Sequence, residues 1–140
     1  RVNEHIFRRP LLATDWSDPY QRGLKMLSAL KGAVEKALVA HVIGSKLSKK
    51  ASPETLRELE MESRKRLDAF CQKLSDEGLP AESHLSMGRT AVEIIKMSRE
   101  YKATMIVMGR TGKDWFQEYW LGGVSHRVAE ISELPVMLVP

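Results

Sequence analysis

The chain has 140 residues, 43% of them hydrophobic and 29% charged, with a formal net charge of +4. That length suits one domain over residues 1–140 with a real core, and excludes two full-sized domains; its apolar runs are too short for a membrane-spanning helix. The one cysteine, Cys71, excludes an internal disulfide and a Cys-based zinc cluster and suits a reducing compartment, so the expected location is cytoplasmic.

In chain order, the opening Arg-Val-Asn-Glu-His lacks the charged-then-apolar layout of a secretory signal. Leu11-Leu12-Ala13, stopped by Thr14-Asp15, reads as a buried strand emptying into a loop. Ser17 offers an N-cap with Pro19 in the first turn, and Leu24, Leu27 and Leu30 follow at helical spacing. Leu38 to Ile43, bounded by Gly44-Ser45, predicts a second buried strand. Ser52-Pro53-Glu54 opens a long helix with Leu56, Leu59, Leu67, Phe70 and Leu74 on its apolar side, closed by Gly78. Along it Glu58, Glu60 and Glu62 alternate with Arg64, Lys65 and Arg66. That is the pattern of a solvated face, so neither nucleic acid nor a membrane is an expected partner.

Ala81 to Met87 predicts a third strand, and Thr90-Ala-Val-Glu93 a capping box opening a helix that runs to about Tyr101. Met105 to Met108 is a strongly apolar strand; Val124, Val128 and Ile131 mark a last helix, and Pro135 to Val139 a last strand. Strands apolar on both faces and separated by helices require crossovers, which gives a doubly wound α/β fold with a parallel sheet. In such sheets ligands bind beyond the carboxyl ends of the strands where the order reverses, which points to the loops after the first and fourth strands.

Those two loops carry the unusual chemistry. After the fourth strand comes Met108-Gly109-Arg110-Thr111-Gly112, then nine residues, then Gly122-Gly123-Val124-Ser125. Glycines let backbone approach a polyphosphate closely, and free N–H groups at a helix start favour an anion. Ser125 adds a hydroxyl donor and Arg110 a charge. At the end of the first strand, the Asp15 carboxylate can accept hydrogen bonds from ribose hydroxyls or an adenine amino group, or can cap the following helix. A glycine-bearing loop is also compatible with a purely structural turn. The histidines 5, 41, 84 and 126 show no ligand spacing, so His41 reads as a core or edge residue rather than a metal ligand. Trp115, Phe116, Tyr119 and Trp120 lie in or beside the nine-residue stretch and read as packing over the sheet. Lys96-Met-Ser98 resembles a nucleotidyl-transferase motif, but it falls inside a predicted helix and not on a mobile loop.

Gly-x-x-Gly, nine residues and Gly, together with Ala13-Thr14-Asp15-Trp16-Ser17, His41-Val42 and Leu134-Pro135-Val136, resembles the universal stress protein family over nearly the whole chain. The resemblance implies an adenine nucleotide alpha hydrolase-like fold with five strands in the order 3-2-1-4-5 and four helices. It further implies ATP, or AMP or ADP, with Mg or Mn reaching the site through the phosphates. The implied site is Ala13, Thr14, Asp15, Val42, Met108, Gly109, Arg110, Gly112, Gly122, Gly123, Val124 and Ser125. Within it the Ala13 backbone would meet the ribose, Asp15 the ribose or adenine, and the Val42 backbone the adenine edge. The resemblance also implies a homodimer through Pro135 to Val139. Gly123 departs from the Ser or Thr that nucleotide-binding members usually carry there, and the missing hydroxyl contact would weaken affinity by about one to two orders of magnitude at most. The expected function is a nucleotide-binding stress or signalling module, with a nucleotide-free interaction module and a slow ATPase as rivals. The sequence shows no nucleophile with an adjacent base, so any ATP hydrolysis is expected to be slow.

Overall fold

A computed structural model describes residues 4–16, 25–109 and 120–139. The strands are β1 (Pro10–Ala13), β2 (Ala37–Gly44), β3 (Ala81–Gly88), β4 (Met105–Gly109) and β5 (Val136–Val139). The helices are α1 (residues 25–29), α2 (Ser45–Lys50), α3 (Pro53–Asp76), α4 (Thr90–Glu100) and α5 (His126–Ile131), with a π-helical turn Trp120–Ser125 ahead of α5. All strand pairs are parallel, and the sheet runs β3-β2-β1-β4-β5. The doubly wound class and strand order agree with expectation. The helices number five among the described residues where four were expected; the extra one is α2, six residues with no buried side chain.

The alternation of side chains along each strand divides the core in two. Leu12, Val39, Met105 and Val107 face α1 and α3, meeting Leu27, Leu67, Phe70 and Leu74. Leu11, Ala13, Leu38, Ala40, Ile106 and Met108 face α4 and α5, meeting Ile94, Ile95, Met97 and Val128. Strands covered on both faces explain the unbroken apolar runs of β1 and β4. Cys71 is buried on the α3 side, where burial raises its thiol pKa to about 11 and keeps it an unreactive thiol.

Helix α3 begins and ends as its sequence predicts. Ser52 Oγ accepts from the Thr55 N–H at 3.1 Å, with Pro53 as the first helical residue. At its end Gly78 takes φ +90°, its N–H reaches the Ser75 carbonyl, and Leu79 N–H reaches the Leu74 carbonyl at 2.9 Å, a Schellman motif. Its first half runs past the sheet, so Leu56 and Leu59 are only half-buried and Met61 is exposed. The expected capping box of α4 does not form. The N-cap is Arg89, with no side-chain cap, and the Glu93 carboxylate accepts from the Ser86 hydroxyl of β3, with Lys96 Nζ 3.6 Å away. A cross-element partner has displaced a local one. The Ser17 cap expected for the first helix lies outside the described residues.

Candidate functional site

The site is built where β1 and β4 end side by side. Ala13, the last residue of β1, pairs with Ala40 of β2 on one side and Met108 of β4 on the other. Beyond it the chain leaves through Thr14 and Asp15; on β4 the next residue is Gly109, paired with Val139. Because β1 lies next to β4 although α1, β2, α2, α3, β3 and α4 intervene in sequence, this is the point where strand order reverses, the place at which doubly wound sheets offer a ligand crevice. Ala13, Thr14 and Met108 are buried, and Asp15 is half-exposed at the surface above them.

The loop after β1 is tightly determined. The Thr14 N–H donates to the Ala40 carbonyl at 2.9 Å, Thr14 Oγ1 accepts from the Trp16 N–H at 2.9 Å, and the Thr14 carbonyl lies 2.7 Å from His41 Nδ1. A carbonyl can only accept, so His41 carries its proton on Nδ1. Trp16 sits at φ +66°, a left-handed conformation costing about 1–2 kcal/mol for a residue with a side chain. Its indole lies 5.0 Å from the His41 ring and 5.5 Å from the Arg66 guanidinium of α3. Burial pushes the His41 pKa below its ordinary value, outweighing the Thr14 carbonyl and the Asp15 carboxylate, which both favour the charged ring. The imidazole is therefore neutral at physiological pH.

Val42 stands one strand further out, half-buried on the α4 face of β2, two residues beyond Ala40. The π-helical turn carries Gly122, Gly123, Val124 and Ser125 and packs on β4 and α4. Gly123 is exposed with nothing within 4 Å of where a Cβ would stand, Val124 packs against the α4-side core, and Ser125 is buried. In a π-helix each N–H reaches back five residues, so the third and fourth positions, Gly122 and Gly123, have no acceptor within that turn. The regular helix starts only at His126, later than the glycines suggested. Arg110 and Gly112 lie outside the described residues, as do Trp115, Phe116 and Tyr119. The structure thus brings Ala13, Thr14 and Asp15 beside Met108 and Gly109. Lys96 and Ser98 lie on α4, with Ser98 Oγ bonded to the Ile95 carbonyl. Among the described residues no three His, Cys, Asp or Glu side chains gather as a metal site. None of the helices described is long and apolar enough to cross a membrane.

His41 and Trp16 hold this loop, a role the sequence did not indicate: His41 reads there as a core or edge residue, and Trp16 enters only within a segment that carries the family resemblance. Nothing in the spacing marks them; they meet only because β1 and β2 pair in this register.

The family model described as "Universal stress protein family" matches residues 7–140. Universal stress protein MJ0577 of Methanocaldococcus jannaschii is 25% identical, the match covering 96% of this chain and 95% of that protein. The solved structure of MJ0577 superposes with a TM-score of 0.82 at 27% identity, over 96% of each chain. Universal stress protein YxiE of Bacillus subtilis is 34% identical over 61% of this chain, a match spanning 58% of that relative's length. A universal stress protein from Archaeoglobus fulgidus solved in complex with dAMP shares the fold, with a TM-score of 0.69 at 21% identity over 96% of this chain and 99% of that one.

Proposed function

We propose that the chain, which belongs to the universal stress protein family, is a single-domain, cytoplasmic nucleotide-binding module for stress response or signalling that holds ATP or a close analogue where β1 and β4 end. The observation that carries this reading is the side-by-side exit of Thr14-Asp15 and Gly109 at the reversal of strand order. The dAMP complex of the Archaeoglobus relative supports an adenine nucleotide as the ligand class.

The residues present suit such a ligand. Asp15 is half-exposed beside a buried wall of Ala13 and Met108, where a carboxylate can accept ribose or amino hydrogen bonds. The Ala13 and Val42 backbones offer groups to the ribose and the adenine edge. Gly109, Gly112, Gly122 and Gly123 let main-chain amides approach the phosphates, with Arg110 and Ser125 supplying charge and a hydroxyl and Val124 closing the turn. Mg or Mn would enter on the phosphates, which asks few ligands of the protein. With no nucleophile–base pair assigned at this crevice, ATP turnover is slow and binding is the function. The homodimer proposed through Pro135 to Val139 uses β5, which lies at the edge of the sheet formed by the described residues, with Leu138 exposed.

Calorimetry with ATP on the wild type and on Gly109→Val tests the reading, since the added isopropyl group occupies the space a phosphate needs. The expected result is saturable binding in the wild type and a loss of at least about a hundredfold, roughly 2.7 kcal/mol, in the variant. Equal affinities in the two proteins, or no heat in the wild type, would overturn it.

A further inference from the structure

We infer that His41 is a positioning residue for this site: by occupying the Thr14 carbonyl with its ring N–H, it ends the β1–β2 ladder early, fixes the turn that presents Asp15, and leaves the Val42 amide facing the crevice. The inference rests on the nucleotide reading above for its ligand, but not for its geometry.

The β1–β2 register ends at Ala13 and Ala40, followed by the Thr14 N–H to Ala40 carbonyl bond at 2.9 Å. In a parallel ladder a residue that donates to one partner accepts from the amide two residues further along that partner strand. The next rung would therefore join the Thr14 carbonyl to the Val42 N–H. That carbonyl is bonded by His41 Nδ1 at 2.7 Å, and the β1–β2 register ends at Ala13 and Ala40, one residue short of the rung. Because Ala40 turns its carbonyl toward β1, the Val42 N–H, two residues further along, faces the same side, past the end of the β1–β2 register. The same hydrogen bond turns the Thr14 peptide, and the turn is completed by Trp16 at φ +66°, whose N–H returns to Thr14 Oγ1 and whose ring lies against His41. A strained loop stays in place only where its surroundings over-determine it, and His41 supplies two of those constraints.

Asn places an N–H donor at the same δ position as His; Leu matches the bulk without the donor; Gln moves the donor one atom further out. Positioning and simple packing therefore predict opposite orders. If His41 positions the site, His41→Asn retains ATP affinity within about threefold while His41→Leu and His41→Gln lose about tenfold or more, measured by calorimetry. Packing alone would make Leu the best tolerated and Asn the worst, and that order overturns the inference.

Amide hydrogen exchange supplies a readout without nucleotide. The Val42 amide should exchange fast in the wild type and in His41→Asn, and become protected in His41→Leu as the missing rung closes. A Val42 amide that is protected in the wild type, or unchanged in both His41→Leu and His41→Gln, overturns the inference. A wild type that binds no ATP yet shows the expected exchange pattern sinks the nucleotide reading and leaves the role of His41 standing. Having both Leu and Gln variants keeps the test decisive should one of them fail to fold.

Discussion

The two ends of the sheet solve the same problem, how a parallel strand meets its loop, in opposite ways. At the amino end Arg9 and Thr104 tie neighbouring segments together. Arg9 donates from Nη2 to the Tyr101 carbonyl at 2.8 Å and from Nε to the Lys102 carbonyl at 3.2 Å, while its own N–H reaches Thr104 Oγ1 at 2.9 Å. Thr104 Oγ1 in turn donates to the Ile6 carbonyl. Lys102 takes φ +57° there, but as part of an ordinary helix ending, with the Ala103 N–H on the Ser98 carbonyl. At the carboxyl end the left-handed residue is Trp16, outside any helix and held by side chains, and the β1–β2 ladder stops short. One end spends its polar groups on closure; the other keeps backbone turned toward a crevice. That division is what a doubly wound sheet permits, since crossover loops at the amino ends have no ligand to hold.

The contrast is broken most strongly by Arg9→Ala. It leaves two helix-end carbonyls of α4 without their charged donor and should destabilise the fold by about 2 kcal/mol in urea unfolding, with ATP affinity unchanged. The Arg9–Glu35 pair at 3.4 Å, with Glu35 exposed, adds little to that sum. A fall in affinity matching the fall in stability would mean that the two ends are not independent.

Gly123→Ser sharpens the contrast from the other side. A side chain there meets open space and adds a hydroxyl to the proposed phosphate side of the site. ATP affinity should rise by up to about tenfold, some 1 kcal/mol, and stability by about 0.5 kcal/mol from better helix propensity. Calorimetry and urea unfolding check both, and weaker binding would contradict the assigned phosphate side of the site.

The smallest effect is on pH dependence, and it samples both ends. His41 at the crevice and His84, stacked 3.5 Å over Tyr101, are both held below the ordinary value of 6.5, in each case chiefly by burial; Glu82 beside His84 opposes the shift. The unfolded chain therefore binds more protons just below pH 6.5 than the folded one. Stability should be full above that pH, fall as pH drops toward the folded-state values, and level off below them. His41→Asn should flatten part of the decline in urea unfolding series at successive pH values, leaving the His84 part. A decline of unchanged slope would show that His41 is not one of the groups responsible.

Much of the fold was legible because it depends on local pattern. The apolar runs of β1 and β4, the Ser52 cap and the Gly78 stop of α3 each express a rule that holds within a few residues. The failures were equally specific. Glu93 left its expected capping box because Ser86, seven residues earlier and on another element, offered a hydroxyl at closer quarters. The short helix α2 has no buried residue, so no apolar periodicity announced it. Of the candidate site, Asp15, Gly109 and Ser125 could be named from loop chemistry, whereas His41 read as a core or edge residue.

The sequence by itself determined the alternation of strands and helices, the two apolar faces and the residue types offered at the carboxyl ends, because burial and capping are short-range demands written in spacing. Only the tertiary structure decided which carbonyl His41 would take, where the β1–β2 ladder would stop and which side chains would hold Trp16 in its left-handed turn. Those outcomes depend on the register between strands separated by 23 residues, and no local pattern carries that register.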